Sequence, residues 1–133
     1  MALLVGALLA IATGLLGRVS GLDRDRAFYS TVTIVVASYY SLFAVLGAST
    51  RAIIVESVVA VVFAAVAVLG FRSSLWVVAT ALAGHGVFDM GHGMLISNPG
   101  LPDYWPAFCA TYDVVAAGIL AWLLATGRVR AAT

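Results

Sequence analysis

The amino-acid sequence predicts an all-α integral membrane protein, a compact bundle of five transmembrane helices that forms a single domain over residues 1–133. Hydrophobic residues make up 63% of the chain and charged residues only 10%, whereas about 25% of the residues in a soluble protein are charged. Five apolar segments each come close to the ~20 residues that cross the hydrocarbon core of a bilayer. Short polar connectors separate these segments, so the chain has no room for a soluble domain.

The predicted spans end where helix-breaking residues begin. They cover residues 2–17, 27–47, 52–70, 75–96 and 107–127, and their connectors include GLDRDR (21–26), ASTR (48–51), FRSS (71–74) and SNPGLPDYWP (97–106). Charged residues, Gly, Ser and Pro in such connectors are typical of turns. Because unpaired backbone groups cannot face lipid, the apolar segments are predicted to be helices rather than strands of an open sheet.

The first segment, residues 2–17, is the shortest of the predicted spans. A secretory signal peptide would need a positive region before its apolar core, but the first basic side chain, Arg18, follows the segment. We therefore expect a retained transmembrane helix. If this segment does not span, the bundle has four transmembrane helices, which keep the orientation predicted below.

Arginine residues predict the orientation of the bundle. With five spans, one side of the membrane holds Arg18, Arg24, Arg26, Arg72, Arg128 and Arg130, and the other side holds only Arg51. The positive-inside rule then places the amino terminus outside and the carboxyl terminus in the cytoplasm of a multi-pass cell-membrane protein. These basic residues form no run that would follow a phosphate backbone, so nucleic-acid binding has no support.

The fourth segment carries three ionisable residues within the sequence GHGVFDMGHG. His85, Asp89 and His92 are separated by four and three residues, and at 100° per residue their side chains fall within an arc of roughly 60°. We expect them to face the bundle interior together. Because imidazole and carboxylate groups bind zinc and non-haem iron, these three residues are the predicted metal ligands.

Two further acids, Glu56 and Asp113, lie in the third and fifth segments. Counted from the outer helix ends at 1.5 Å per residue, both acids and Asp89 lie roughly 7 to 10 Å deep. Tyr39 and the following Tyr40 reach about the same layer of the second segment. Glu56, Asp113 and Tyr39 are therefore the predicted catalytic residues.

An ionised side chain at the centre of a membrane helix costs about 2.5 to 3.5 kcal/mol on insertion scales, so ionisable residues within spans usually serve a function. The alternative is structural, since such residues also form hydrogen bonds between helices, worth about 0.6 to 2 kcal/mol each. The presence of five such residues in one layer favours a functional site. Cys109, one turn before Asp113, is interpreted as a small buried hydrophobic residue.

The first functional hypothesis is a small membrane-embedded, metal-dependent enzyme that uses zinc or non-haem iron. Glu56 or Asp113 would act as a further ligand or as a general base. The substrate would be lipophilic, such as a lipid, a quinone or an isoprenoid, because no soluble domain is present to capture another kind of molecule. The reaction would be a hydrolysis, an isomerisation or a redox step. Membrane desaturases and hydroxylases carry many more than the two histidines of this chain, so that class is disfavoured.

The second hypothesis uses the same residues as a metal-free proton shuttle. His85 and Asp89 form a His-x-x-x-acid pair on one helix, with another acid on a different helix. This short motif resembles one in the sterol isomerases of the emopamil-binding family, which are five-helix proteins that move a proton at a buried alkene. The likeness covers this motif alone, and Asp89 stands where a Glu would be expected. It implies an acid/base isomerase, which needs two groups that hold protons with different strength.

The third hypothesis is a proton-coupled carrier, which would be a homo-oligomer because five short helices enclose little volume. The nearly apolar cytoplasmic halves of the predicted spans argue against it, since they provide no second half of a proton path. A small subunit of a larger membrane complex is the fourth hypothesis and stays open.

Overall fold

The computed structural model describes residues 1–132, and its regular structure there is helical. The α-helices cover Ala2–Ser20 (α1), Ala27–Leu46 (α2), Thr50–Arg72 (α3), Leu75–Leu95 (α4) and Trp105–Ala125 (α5), and a short 3-10 helix, Leu22–Arg24, follows α1. The prediction of an all-α fold with five helices is confirmed. The observed helix ends lie within three residues of the predicted ones.

Residues in the connectors explain where α3, α4 and α5 begin. The hydroxyl of Ser49 accepts a hydrogen bond from the Ala52 amide at the start of α3, and that of Ser74 accepts one from the Trp76 amide at the start of α4. Proline is present in the first turn of α5, where the backbone amides have no partner within the helix in any case. The starts of α3, α4 and α5 therefore follow from local residue preferences.

Four of the helices, α1, α2, α3 and α5, are long and apolar enough to cross a membrane. The remaining helix, α4, has 21 residues, but His85, Asp89 and His92 lower its mean hydropathy. Of an apolar stretch of 18 residues in each helix, only 22% is buried within the bundle in α1 and only 17% in α3. Because soluble proteins rarely expose apolar surfaces of this extent, these helices indicate a membrane protein.

The helices pack in an order that differs from their order in the sequence. α2 packs on α3, α3 on α4, α4 on α5, and α5 on α1, so that α1 rests mainly on the last helix. Gly6 permits this close packing, because a side chain at that position would collide with the carbonyl oxygen of Phe108. α2 and α5 make few contacts with each other, and a cleft opens between them.

Arg26 joins three parts of the chain at the end of the bundle where α2 begins. Its guanidinium donates hydrogen bonds to the carbonyl oxygens of Gly70, Phe71, Ser73, Arg130 and Ala131. Helix ends leave carbonyl groups without partners, and these contacts satisfy several of them. The start of α2, the end of α3 and the segment after α5 therefore lie at the same end of the bundle.

Candidate functional site

Five ionisable side chains from three helices lie in the interior of the bundle. α3 supplies Glu56, α4 supplies His85, Asp89 and His92, and α5 supplies Asp113, each with at most 1% of its surface exposed. Such groups are rarely buried unless they are paired or coordinated, because transfer from water disfavours their charged forms. The partners of each group therefore decide what the site can do.

Three of these side chains and the buried Cys109 form a compact set. This set is called here the His85 group, and it consists of His85, Asp89, Cys109 and Asp113. The Nδ1 atom of His85 lies 2.6 Å from Oδ2 of Asp113 and 3.4 Å from Oδ2 of Asp89. Together with Sγ of Cys109, one potential ligand atom from each residue lies within 4.8 Å of every other. The group thus combines nitrogen, oxygen and sulfur donors in one small volume.

Asp89 contacts His85, but its carboxylate forms no hydrogen bond among the described residues. Within residues 1–132, neither of its carboxylate oxygens has a hydrogen-bond partner, and the Oδ1 atom of Asp113 also has none. The 3.4 Å contact between Asp89 and His85 lacks the geometry of a hydrogen bond. Because buried carboxylate oxygens in folded proteins nearly always have a partner, this arrangement calls for a further proton, water molecule or cation.

His92 belongs to a second constellation. Its Nε2 atom lies 2.8 Å from Oε1 of Glu56, and the same oxygen accepts a hydrogen bond of 3.0 Å from the Asn98 side chain. Asn98 also donates to the carbonyl oxygen of Tyr40, at 3.1 Å. His92 follows His85 by seven positions, which places the two residues roughly 10 Å apart along α4. The structure therefore places His92 in a pair with Glu56 and outside the His85 group.

Tyr40 lies between the two constellations, whereas Tyr39 does not. The Tyr40 ring centre lies 4.4 Å from that of His92 and 6.0 Å from that of His85, and its hydroxyl is buried. Tyr39 is half-buried, packs against Trp105 with ring centres 5.3 Å apart, and lines the cleft between α2 and α5. Consecutive helix residues point 100° apart, so only one of the two can face the ionisable groups.

Gly86 sets the distance between α4 and α5 at the site. A Cβ atom at this position would lie 2.9 Å from the Ala110 carbonyl oxygen and 2.9 Å from Cγ2 of Val114. Among the residues that the structure describes, nothing lies within 4 Å of a Cβ at Gly84 or at Gly93. Of these glycines beside the two histidines, Gly86 is therefore the one that brings a neighbouring backbone close.

Two residues of the site were not assigned from sequence. Cys109 carried a signal, since its spacing of four residues from Asp113 puts both side chains on one face of α5. Asn98 lies in the connector between α4 and α5, where no periodicity constrains the direction of a side chain. Its role follows only from the way the connector folds back over the helices.

We expect Asn98→Ala to lower the free energy of unfolding by about 1 to 3 kcal/mol, because Glu56 and the Tyr40 carbonyl each lose a hydrogen-bond donor. Unfolding by sodium dodecyl sulfate in mixed micelles measures this change. Ser97→Ala, at the exposed neighbouring position, is the matched control and should leave stability unchanged. Equal stabilities of the two variants would contradict the assigned role of Asn98.

No protein-family model matches this chain, and no curated protein or solved structure matches it either.

Proposed function

We propose that this protein is a zinc-dependent enzyme embedded in the cell membrane, and that His85, Asp89 and Asp113 bind the metal ion. The observation that carries the proposal is the His85 group itself. Its four potential ligand atoms lie within 4.8 Å of one another, and both Asp89 oxygens lack a hydrogen-bond partner within residues 1–132. A divalent cation would satisfy these oxygens and offset the charge of the two carboxylates.

The separations in the group are compatible with zinc. Zinc ligands lie at about 2.0 to 2.3 Å from the ion in a tetrahedral arrangement, so the ligand atoms themselves lie roughly 3.3 to 3.8 Å apart. The Nδ1 atom of His85 lies 2.6 Å from Asp113 and 3.4 Å from Asp89, and the ligand atoms of the whole group lie within 4.8 Å of one another. The observed distances therefore lie on both sides of the range that zinc requires. Small side-chain movements would bring the donors to zinc distances.

The donor set favours zinc over iron. Non-haem iron enzymes typically use two imidazoles and one carboxylate, but His92 is hydrogen-bonded to Glu56 and lies outside the His85 group. Zinc accepts imidazole nitrogen and carboxylate oxygen donors together, and His85, Asp89 and Asp113 supply these. With His85, Asp89 and Asp113 as ligands, a fourth position next to Cys109 would hold the water molecule that a catalytic zinc ion activates. The reaction class is therefore hydrolysis of a lipophilic substrate.

The membrane arrangement that accompanies this proposal has five spans. At 21 residues, α4 has the length to cross the membrane. Its ionisable side chains point inward, and its exposed side chains include Val87, Met90 and Met94, which suit contact with lipid. The contacts of Arg26 gather arginine-bearing segments at one end of the bundle, which supports the orientation with the amino terminus outside.

Metal analysis of the purified protein tests the proposal. We expect about one equivalent of zinc in the unmodified protein, and loss of that zinc in His85→Ala and Asp89→Asn, because each variant removes a ligand. His92→Gln should keep the metal, since His92 lies outside the His85 group. Asp103→Asn, in the exposed part of the connector before α5, is the matched control for Asp89→Asn. Circular dichroism and gel filtration would establish that each variant is folded.

The second candidate is the metal-free proton shuttle, and one observation favours it. Both imidazoles already form close contacts with carboxylates, at 2.6 Å for His85 with Asp113 and 2.8 Å for His92 with Glu56. Such pairs can hold and transfer protons without a metal ion. Folded protein without bound metal after purification in zinc-containing buffer would remove the zinc proposal and leave this one.

A further inference from the structure

The cleft between α2 and α5 is a cavity of about 500 Å³ that lies next to the His85 group. Its walls come from α1, α2, α5 and the segment before α2, and they are mostly apolar. Ligand sites in proteins typically have volumes of about 300 to 1,000 Å³. The cleft therefore has the size and the lining of a site for an apolar small molecule.

The shape of the cleft is elongated. Along α2 its lining runs from Ala27 to Tyr39, which corresponds to roughly 18 Å at 1.5 Å per residue. The hydrocarbon core of a bilayer is about 30 Å thick, so the cleft is long enough to hold one hydrocarbon chain lengthwise over roughly half of that thickness. The cleft is partly open to the outside of the bundle and not enclosed.

Cys109 connects the cleft with the ionisable residues. It lines the cleft, and its sulfur belongs to the His85 group, within 4.8 Å of ligand atoms of His85, Asp89 and Asp113. Tyr39 and Trp105 line the same end of the cleft. If a lipid lies in the cleft with its functional group at this end, that functional group lies beside the His85 group.

We propose that the cleft binds a single hydrocarbon chain of a lipid and holds the functional group of that lipid at Cys109, beside the His85 group. The inference rests on the proposed function for the identity of the groups that the lipid meets there. Apolar side chains that line the cleft bind the hydrocarbon chain. Residues between Ala27 and Val36 bind the far end of the chain, and Tyr39 and Trp105 lie beside the functional group.

A photoactivatable lipid tests this inference. We would reconstitute the protein in phosphatidylcholine vesicles that contain a phosphatidylcholine with a diazirine near the end of one acyl chain, and map the crosslinked residues by mass spectrometry. We expect crosslinks concentrated in residues 27–36, where the far end of the chain lies. Crosslinks spread evenly over the exposed faces of all helices would overturn the inference, because they would show ordinary contact with bulk lipid.

A pair of variants gives the second measurement. Val35 lines the cleft and is 43% exposed, whereas Val58 on α3 is 60% exposed and lies outside the cleft. Val35→Trp fills the cleft, so we expect it to reduce crosslinking at residues 27–34 by about tenfold or more, while Val58→Trp leaves it unchanged. Equal crosslinking in the two variants would overturn the inference.

Competition and metal content complete the test. A fatty acid and a linear isoprenoid alcohol, added separately, would show by displacement of the crosslink which kind of chain the cleft prefers, and displacement by neither would overturn the inference. Zinc content is measured on the same samples. Loss of crosslinking with zinc retained in Val35→Trp would support the cleft as a separate site, whereas absence of zinc with intact cleft crosslinks would contradict only the proposed function.

Discussion

Replacement of Glu56 by leucine is expected to lower the free energy of unfolding by about 3 to 5 kcal/mol, the cost of removing one partner from a buried pair. Glu56 is 1% exposed, and its Oε1 atom is the partner of both the His92 imidazole and the Asn98 amide. Leucine would leave the buried His92 imidazole without this partner and would remove one of the two oxygens to which the Asn98 amide donates. Unfolding by sodium dodecyl sulfate in mixed micelles measures the loss.

The double variant Glu56→Leu/His92→Leu separates the loss of a partner from the loss of packing. With both members of the pair apolar, no ionisable group of the pair remains buried, and we expect most of the lost stability to return. Glu56→Gln retains an oxygen that accepts hydrogen bonds and should cost less than Glu56→Leu. A double variant that is as unstable as the sum of the single variants would contradict this account of the pair.

For the zinc site proposed above, Gly86→Ala is expected to weaken zinc binding by about 10- to 100-fold, the usual effect of a change beside the metal ligands. The added methyl group would lie 2.9 Å from the Ala110 carbonyl oxygen, so α5 must move away from α4. This movement would carry Asp113 away from His85. Overpacking of this kind also costs about 1 to 3 kcal/mol of stability. Competition with a zinc-binding dye measures the affinity.

Gly84→Ala is the matched control for this variant. The same substitution is made on the same helix, but nothing lies within 4 Å of the new Cβ atom among the described residues. Because alanine favours helices more than glycine does, we expect Gly84→Ala to be as stable as the unmodified protein or slightly more stable. Equal zinc affinity of Gly84→Ala and Gly86→Ala would show that the approach of α5 to α4 does not position the ligands.

Much of the fold was predictable because the signals for it are local. Each helix is an apolar segment of suitable length, and Ser49, Ser74 and Pro106 mark boundaries through capping and ring geometry that depend on a few neighbouring residues. The packing of α1 against α5 was not predictable in this way. It depends on contacts between segments about 100 residues apart, such as that of Gly6 with Phe108, which leave no periodic pattern.

The site was predictable as a set of residues but not as a set of pairs. Helical periodicity puts His85, Asp89 and His92 on one face, yet it does not show that the two imidazoles, roughly 10 Å apart, take partners from different helices. That result depends on the register of α3 and α5 against α4. The depth of a residue likewise could not separate Tyr39 from Tyr40, because adjacent residues share a depth but point in different directions.

The two histidines of α4 attach that helix to its neighbours on both sides. His92 is hydrogen-bonded to Glu56 of α3, and His85 is hydrogen-bonded to Asp113 of α5. Apolar surfaces can slide past one another at little cost, but a hydrogen bond holds two atoms at a fixed distance and direction. A displacement of α3 along α4 would therefore break the His92–Glu56 contact, and a displacement of α5 along α4 would break the His85–Asp113 contact.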